Sequence, residues 1–215
     1  MIITRPEHEA TTRYLSVWSR IVLDEAKRSG INVIDLHRKK ANRKDFEGRL
    51  RKCNPKLVIL QGHGNSTRVT GHDNEYLVAV GKNEELLEGR VTYAVSCDAA
   101  KELGERVGAM PHSTFIGYND RFVFSYRPDR MRNPIEDNRA KPFMEMSNQV
   151  TRSLIKGHTA NEAMQRSQDV GTDHVKRLMS SASDPDARFD AMNLLWDLRH
   201  QVCLGDGAKK GMETV

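Results

Sequence analysis

Short apolar runs alternate with amphipathic stretches through the first half of the chain, the pattern of a mostly parallel sheet with helices on its faces. Residues 1–4 read as a strand that Pro6 ends, and Tyr14, Val17, Trp18, Ile21 and Val22 then recur at helical spacing until Gly30. A strand at 31–36 and a basic helix at 45–52 follow. Residues 57–60 are apolar without interruption after Pro55, which predicts a central strand buried on both faces. A Gly-rich segment at 61–71 leads to an edge strand at 76–80 and a short helix at 83–87 that Gly89 stops. Residues 91–95 form the next main strand and run into Ser96, Cys97 and Asp98. Ala99, Ala100, Leu103 and Val107 predict a helix closed by Gly108, and residues 114–117 predict a further strand that 118–126 extends or pairs with.

The loop at 127–138, with two prolines and three arginines, is the least ordered-looking part of the middle. The remainder reads as helical. Phe143, Met146, Val150 and Ile155 mark a helix that ends at Gly157, and Thr159 with Glu162 has capping-box spacing for the next. Asp184 and Pro185 read as N-cap and first-turn proline of a last helix. Its apolar face carries Phe189, Met192, Leu195 and Trp196, and it runs to Gly205. The expected architecture is one α/β domain over residues 1–205 with a helical C-terminal third and a frayed end at 206–215.

Composition narrows the function classes. The chain has 215 residues, 34 Lys plus Arg against 29 Asp plus Glu, and a formal charge of +5. That mild excess does not make a nucleic-acid binder, and the densest basic stretch, 38–56, has almost no aromatic residues to stack bases. No window approaches a membrane-spanning run, and residues 1–12 lack the pattern of a signal peptide. The three cysteines, Cys53, Cys97 and Cys203, are far apart and odd in number, so neither a disulfide framework nor a Cys-x-x-Cys metal site is expected. A reducing cytosol suits them, and no cofactor is called for.

Chemistry in open parallel sheets collects beyond the carboxyl ends of the central strands. His63 stands there in Gln61-Gly62-His63-Gly64-Asn65, and Cys97 stands there after residues 91–95 and at the expected start of a helix. A helix N-terminus and a nearby imidazole stabilise a thiolate. Gly62 and Gly64 allow a sharp turn and close approach of a substrate chain, while the N–H groups of Gly64 and Cys97 are positioned to meet a developing oxyanion. Such a set supports covalent catalysis, with Cys97 attacking a carbonyl and His63 handling the protons.

At these residues the chain resembles the caspase-haemoglobinase fold, and within it the CHAT and gingipain-like branch. The likeness lies in the order apolar strand, His63-Gly64, short hairpin, small helix, apolar strand, Ser96-Cys97, helix, and a strand ending in Ile116-Gly117-Tyr118. It continues through Leu154-Ile155-Lys156-Gly157-His158-Thr159 and Glu162-Ala163, so that it covers the chain from Met1 to about Asp169. The resemblance implies a caspase-like three-layer sandwich and a cysteine endopeptidase with His63 and Cys97 as the catalytic pair and Gly64 in the oxyanion hole. It also implies restraint by processing or by a partner protein, and a place in prokaryotic defence or cell death. Where members of the family often carry a small-residue pair after the nucleophile, this chain has Cys97-Asp98-Ala99-Ala100.

Enzymes of that fold select one side chain before the cut. The acidic candidates for such a pocket are Glu7 and Glu9 after the first strand, Asp98 beside the nucleophile, and Asp120, where a buried carboxylate would favour Lys or Arg. Each also has a structural alternative, as a helix cap or a turn residue. His72 reads as a loop residue, although His63, His72 and Cys97 together have the donor types of a zinc site. Two other functions compete: an inactive caspase-like scaffold that binds a partner, and a nucleotide or phosphate module with the loop at 62–71 cradling an anion. The second lacks both Gly-x-Gly-x-x-Gly and the P-loop pattern.

Overall fold

The apolar runs at 57–60 and 91–95 are buried at every position, and around them the chain builds a mostly parallel six-stranded sheet flanked by helices. The structure is a computed structural model that describes residues 1–180 and 185–212. Its first part runs β1 (Ile2–Arg5), α1 (Ala10–Arg28), β2 (Ile34–His37), α2 (Arg43–Cys53) and β3 (Leu57–Gln61). A small antiparallel sheet of β4 (Gly64–Asn65), β5 (Arg68–Thr70) and β6 (Tyr76–Ala79) is inserted before β7 (Val91–Val95). Then come α3 (Glu102–Gly108), β8 (Thr114–Tyr118), α4 (Lys141–Ile155), α5 (Ala160–Ser180), α6 (Pro185–His200) and β9 (Gln201–Gly205).

The main sheet has the order β2-β1-β3-β7-β8-β9. All its pairs are parallel except β8 with β9. Strand alternation divides the core. Ile3, Leu57, Ile59, Val91, Tyr93 and Val95 face the layer that includes α1 and α4, while Ile2, Val58, Leu60, Ala94 and Phe115 face α2, α3 and β6. Each fully buried side chain of this size contributes roughly 1.5–3 kcal/mol of transfer free energy.

The strand at 76–80 is an edge strand, as expected, and the sheet it borders is the small inserted one. Several elements differ from the sequence expectation. The strand at 114–117 stops at Tyr118, and residues 119–127 run on without regular pairing. Phe122, Phe124 and Tyr126 point inward at every second position, stacking on one another and on Tyr118 and Tyr14 at centroid distances of 4.9 to 6.0 Å. The last helix ends at His200 rather than Gly205, because residues 201–205 pair antiparallel with β8. Its expected core face is turned outward: Phe189, Met192, Leu195 and Trp196 are 56%, 68%, 48% and 42% exposed. The buried face is Ala187, Asp190, Ala191, Leu194 and Asp197. Small alanines permit close approach there, and both aspartates find partners, Asp190 with Arg139 at 2.9 Å and Asp197 with the Val123 N–H at 3.0 Å.

The expected Asp184 cap lies outside the described residues. The Thr159/Glu162 capping box is formed in both directions, at 2.8 and 3.2 Å. Residues 206–212 are tied down rather than frayed: the N–H groups of Ala160 and Asn161 donate to the carbonyls of Lys209 and Gly207, and Met212 packs on the core.

The loop at 127–138 is also held, through one carboxylate. Asp137 is fully buried and accepts from the Tyr14 hydroxyl at 2.5 Å, the Arg127 N–H at 2.7 Å and the Arg139 N–H at 3.0 Å. Burial and this carboxylate together push the Tyr14 hydroxyl well above its ordinary pKa. Asp137→Ala strips one buried and two partly buried donors of their acceptor, so urea unfolding is expected to show a loss of roughly 3 kcal/mol. Asp137→Asn, which keeps an acceptor oxygen, is expected to lose less than half of that.

Candidate active site

The pairing of β3 with β7 ends at Gln61 opposite Val95. His63 lies two residues beyond that pair on one strand and Cys97 two residues beyond it on the other, so the register carries both to the same carboxyl edge. The intervening glycines are dictated by crowding. A Cβ on Gly62, whose φ is +148°, would lie 2.1 Å from the Thr70 carbonyl oxygen. One on Gly64 would lie 2.2 Å from Ser96 Oγ, 2.6 Å from the Arg68 carbonyl oxygen and 3.5 Å from that of Cys97. The room these glycines leave is therefore filled by the chain's own hairpin and by Ser96, and the Gly64 backbone is pressed against the Ser96–Cys97 turn.

His63 has a partner that sequence reasoning did not assign to it. Its Nε2 lies 3.2 Å from Glu9 Oε1, with the ring 42% exposed. Glu9 is at the same time the N-cap of α1, accepting from the Thr11 and Thr12 N–H groups while Thr12 Oγ1 returns to the Glu9 N–H. Burial works to raise the Glu9 carboxyl, but these hydrogen bonds and the His63 ring outweigh it and hold the group below its ordinary value. The signal was present in the sequence, as an acid just after the first strand, yet its cap role and its histidine contact are separate readings of one residue. The His8 ring lies 6.3 Å from that of His63 and 5.2 Å from that of His72, so three imidazoles line this side of the site.

Cys97 is half-buried, and its thiol donates to the Phe122 carbonyl at 3.7 Å. The expected helix N-terminus is not behind it. Asp98 takes a left-handed φ of +57°, turns carry residues 97–101, and α3 begins only at Glu102. Burial pushes the Cys97 thiol above its ordinary value, and the Asp98 carboxylate pushes the same way. The segment past the thiol is clamped to α6 at three points. Asn119 N–H donates to the His200 carbonyl at 2.9 Å, Trp196 Nε1–H to the Arg121 carbonyl at 3.0 Å, and Val123 N–H to Asp197 Oδ1 at 3.0 Å. Asp197 is fully buried, and burial raises its carboxyl well above the ordinary range. Among the described residues its Oδ2 has no hydrogen-bond partner, and neither do Ser96 Oγ, Gln61 Oε1 or the His8 ring nitrogens. Unsatisfied buried polar atoms are scarce in folded proteins, and their concentration at this edge marks it out.

The acidic candidates separate. Asp98 and Asp120 flank Cys97, their backbones joined by an Asp98 N–H bond to the Asp120 carbonyl at 3.0 Å. The Asp98 carboxylate is engaged with Lys101 at 2.5 Å, whereas that of Asp120 accepts from the adjacent Arg121 N–H at 2.7 Å. The Glu7 side chain, 8% exposed, is enclosed by Arg13 at 3.0 Å, His37 at 2.8 Å and Arg38 at 3.1 Å, so its acceptor positions are taken by its own chain. His72 Nδ1 accepts from the Glu7 N–H at 3.3 Å. His63, His72 and Cys97 are not gathered as a ligand set: among the described residues no group of three or more His, Cys, Asp or Glu side chains is placed to hold a metal ion. Among the same residues no helix is long and apolar enough to cross a membrane.

Two measurements check these electrostatics. Iodoacetamide labelling of Cys97, followed peptide by peptide across pH, is expected to reach half its maximum rate above the ordinary thiol pKa. Burial would raise Glu7, yet hydrogen bonds from Arg38 and His37 lower it to about 2. A lowered carboxylate stabilises the fold above its unfolded pKa and loses that contribution as pH falls from there through about 2. Glu7→Gln is therefore expected to flatten the stability change over that acid window by on the order of 2–3 kcal/mol. Comparison with known proteins adds no family to this geometry: no family model matches the chain, and no curated protein matches it at a significant level.

Proposed function

We propose that the chain is a cysteine endopeptidase that cleaves peptide bonds through Cys97 and His63. The observation that carries this reading is the in-register delivery of a thiol and an imidazole to one sheet edge, with a carboxylate engaging Nε2 of the imidazole. Glu9 on Nε2 leaves Nδ1 to exchange a proton with the thiol, the division of labour that a nucleophile, base and orienting acid require.

The sequence of steps follows from the resting state. The thiol is protonated and held on the Phe122 carbonyl, so attack is coupled to proton transfer to His63. Sγ bonds to the substrate carbonyl carbon, and the oxyanion is met by backbone N–H groups of the Gly64 and Cys97 turns. His63 then gives its proton to the leaving amine as the C–N bond breaks. Water attacks the thioester with His63 as base, releasing the acid and restoring the thiol. Asp120, beside Cys97 and forming no salt bridge among the described residues, supports a preference for Lys or Arg before the cut. The resemblance to CHAT-like peptidases supports regulation by processing or by a partner and a role in prokaryotic defence.

The test is digestion of a mixed peptide library read by mass spectrometry. Cys97→Ala is expected to abolish cutting, and His63→Ala to lower the rate by roughly 10³-fold or more. Glu9→Gln keeps a cap acceptor but loses the charge that orients the imidazole, and is expected to lower kcat by about 10–100-fold with little change in KM. Cuts that persist in Cys97→Ala, or a parent protein that makes none, overturn the reading.

A further inference from the structure

Helix α6 has two faces, and the large apolar side chains of one of them stand exposed. Taken at about 100° per residue, Leu195, Met192, Trp196 and Phe189 fall within about a third of the helix circumference, all of them exposed. Arg188 and Arg199 lie on the same exposed arc, near its two ends and separated by about three turns. Among the described residues neither guanidinium has a hydrogen-bond or ion-pair partner. The surface is an apolar stripe with an unpaired cation at each end. Four large apolar side chains on one exposed arc are unusual unless something covers them. The opposite face of the same helix holds the segment that passes over Cys97, through His200, Trp196 and Asp197. Trp196 belongs to both faces, its ring exposed and its N–H spent on the Arg121 carbonyl.

We propose that this face docks an amphipathic helix of a partner protein, one with apolar residues at i, i+3 or i+4 and i+7 and acidic residues at both ends, and that docking restrains access to Cys97. The charge pattern chooses the occupant. A second copy of the same face would set arginines against arginines in an antiparallel pairing, whereas carboxylates at the ends of a foreign helix meet both. The restraint follows from the clamp. A thiol covered by a backbone segment is reached when that segment opens locally, and a helix stabilised by a partner releases the segment less often. The regulatory half of the proposal rests on Cys97 being the working nucleophile; the docking half does not.

The experiment uses the whole protein and two labelled helical peptides of about 18 residues, identical in their Leu stripe, one carrying Glu and the other Lys at both ends. Fluorescence anisotropy is expected to show the Glu peptide binding roughly tenfold or more tighter than the Lys peptide. Met192→Asp is expected to remove binding, and the double variant Arg188→Glu/Arg199→Glu to reverse the preference; these positions are exposed, and circular dichroism checks that folding is unchanged. Equal binding of the two peptides, no binding, or a dimer in sedimentation that Met192→Asp dissociates would each overturn the proposal. Saturating Glu peptide is expected to slow iodoacetamide labelling of Cys97 by roughly threefold or more, with labelling of the exposed Cys53 unchanged; an unchanged Cys97 rate overturns the restraint. Neither readout requires cleavage, so a protein that docks the peptide yet cuts nothing fails as a peptidase and not as a docking surface.

Discussion

The parallel pairing of β3 with β7 is the contact on which the rest of the molecule depends. Five consecutive residues of each strand, Leu57 with Val91 through Gln61 with Val95, are paired in register, and every one of these residues is buried. A strand pair covered on both faces needs layers of helices on both sides, and parallel strands need crossovers long enough to supply them. The six-stranded sheet, the two halves of the core and the shared carboxyl edge all follow. A one-residue slip of this register would turn the strand's side chains to the opposite faces and move His63 out of step with Cys97.

At that edge the geometry favours a covered, protonated thiol over a preformed thiolate. Burial and Asp98 hold the thiol protonated, the Phe122 carbonyl receives it, and no helix N-terminus stands behind it. A carboxylate sits instead on the histidine side, where Glu9 links the start of α1 to the His63 ring. The covering segment is anchored on α6. The two halves of the site thus belong to different parts of the chain: the imidazole is set by β1, α1 and β3, the cover of the thiol by β8, α6 and β9.

The places where sequence pattern and structure diverge share one cause. In α6, the pattern selects the stripe of largest apolar residues as the buried face, and the structure buries the alanine and aspartate stripe instead. The hydrophobic preference was outweighed because Asp190 meets Arg139 and Asp197 meets the Val123 N–H, partners contributed from 51 and 74 residues away. Residues 201–205 read as the end of that helix, yet the open edge of β8 offers five pairing positions that a frayed helical turn cannot match. Asp98 in the left-handed region delays α3 by several residues, and φ at a non-glycine position leaves no mark in composition. Glu9 carries both a cap and the contact with His63, and only the cap has a local signature.

Local pattern by itself determined the α/β class, the alternation of strands and helices through the first half, the central place of residues 57–60, the capping box at Thr159 and Glu162, and the arrival of His63 and Cys97 at strand ends. These are consequences of periodicity, burial and short-range hydrogen bonding, which act within a few residues of one another and so are written along the chain. The tertiary structure alone decided which face of α6 is buried, that 201–205 pairs with β8, that Glu9 meets His63, that Glu7 is closed off by His37 and Arg38, and that Phe122 covers the thiol. Each of these is a choice between partners distant in sequence, settled by which arrangement satisfies buried polar groups and fills space at once, and such choices have no local signal to read.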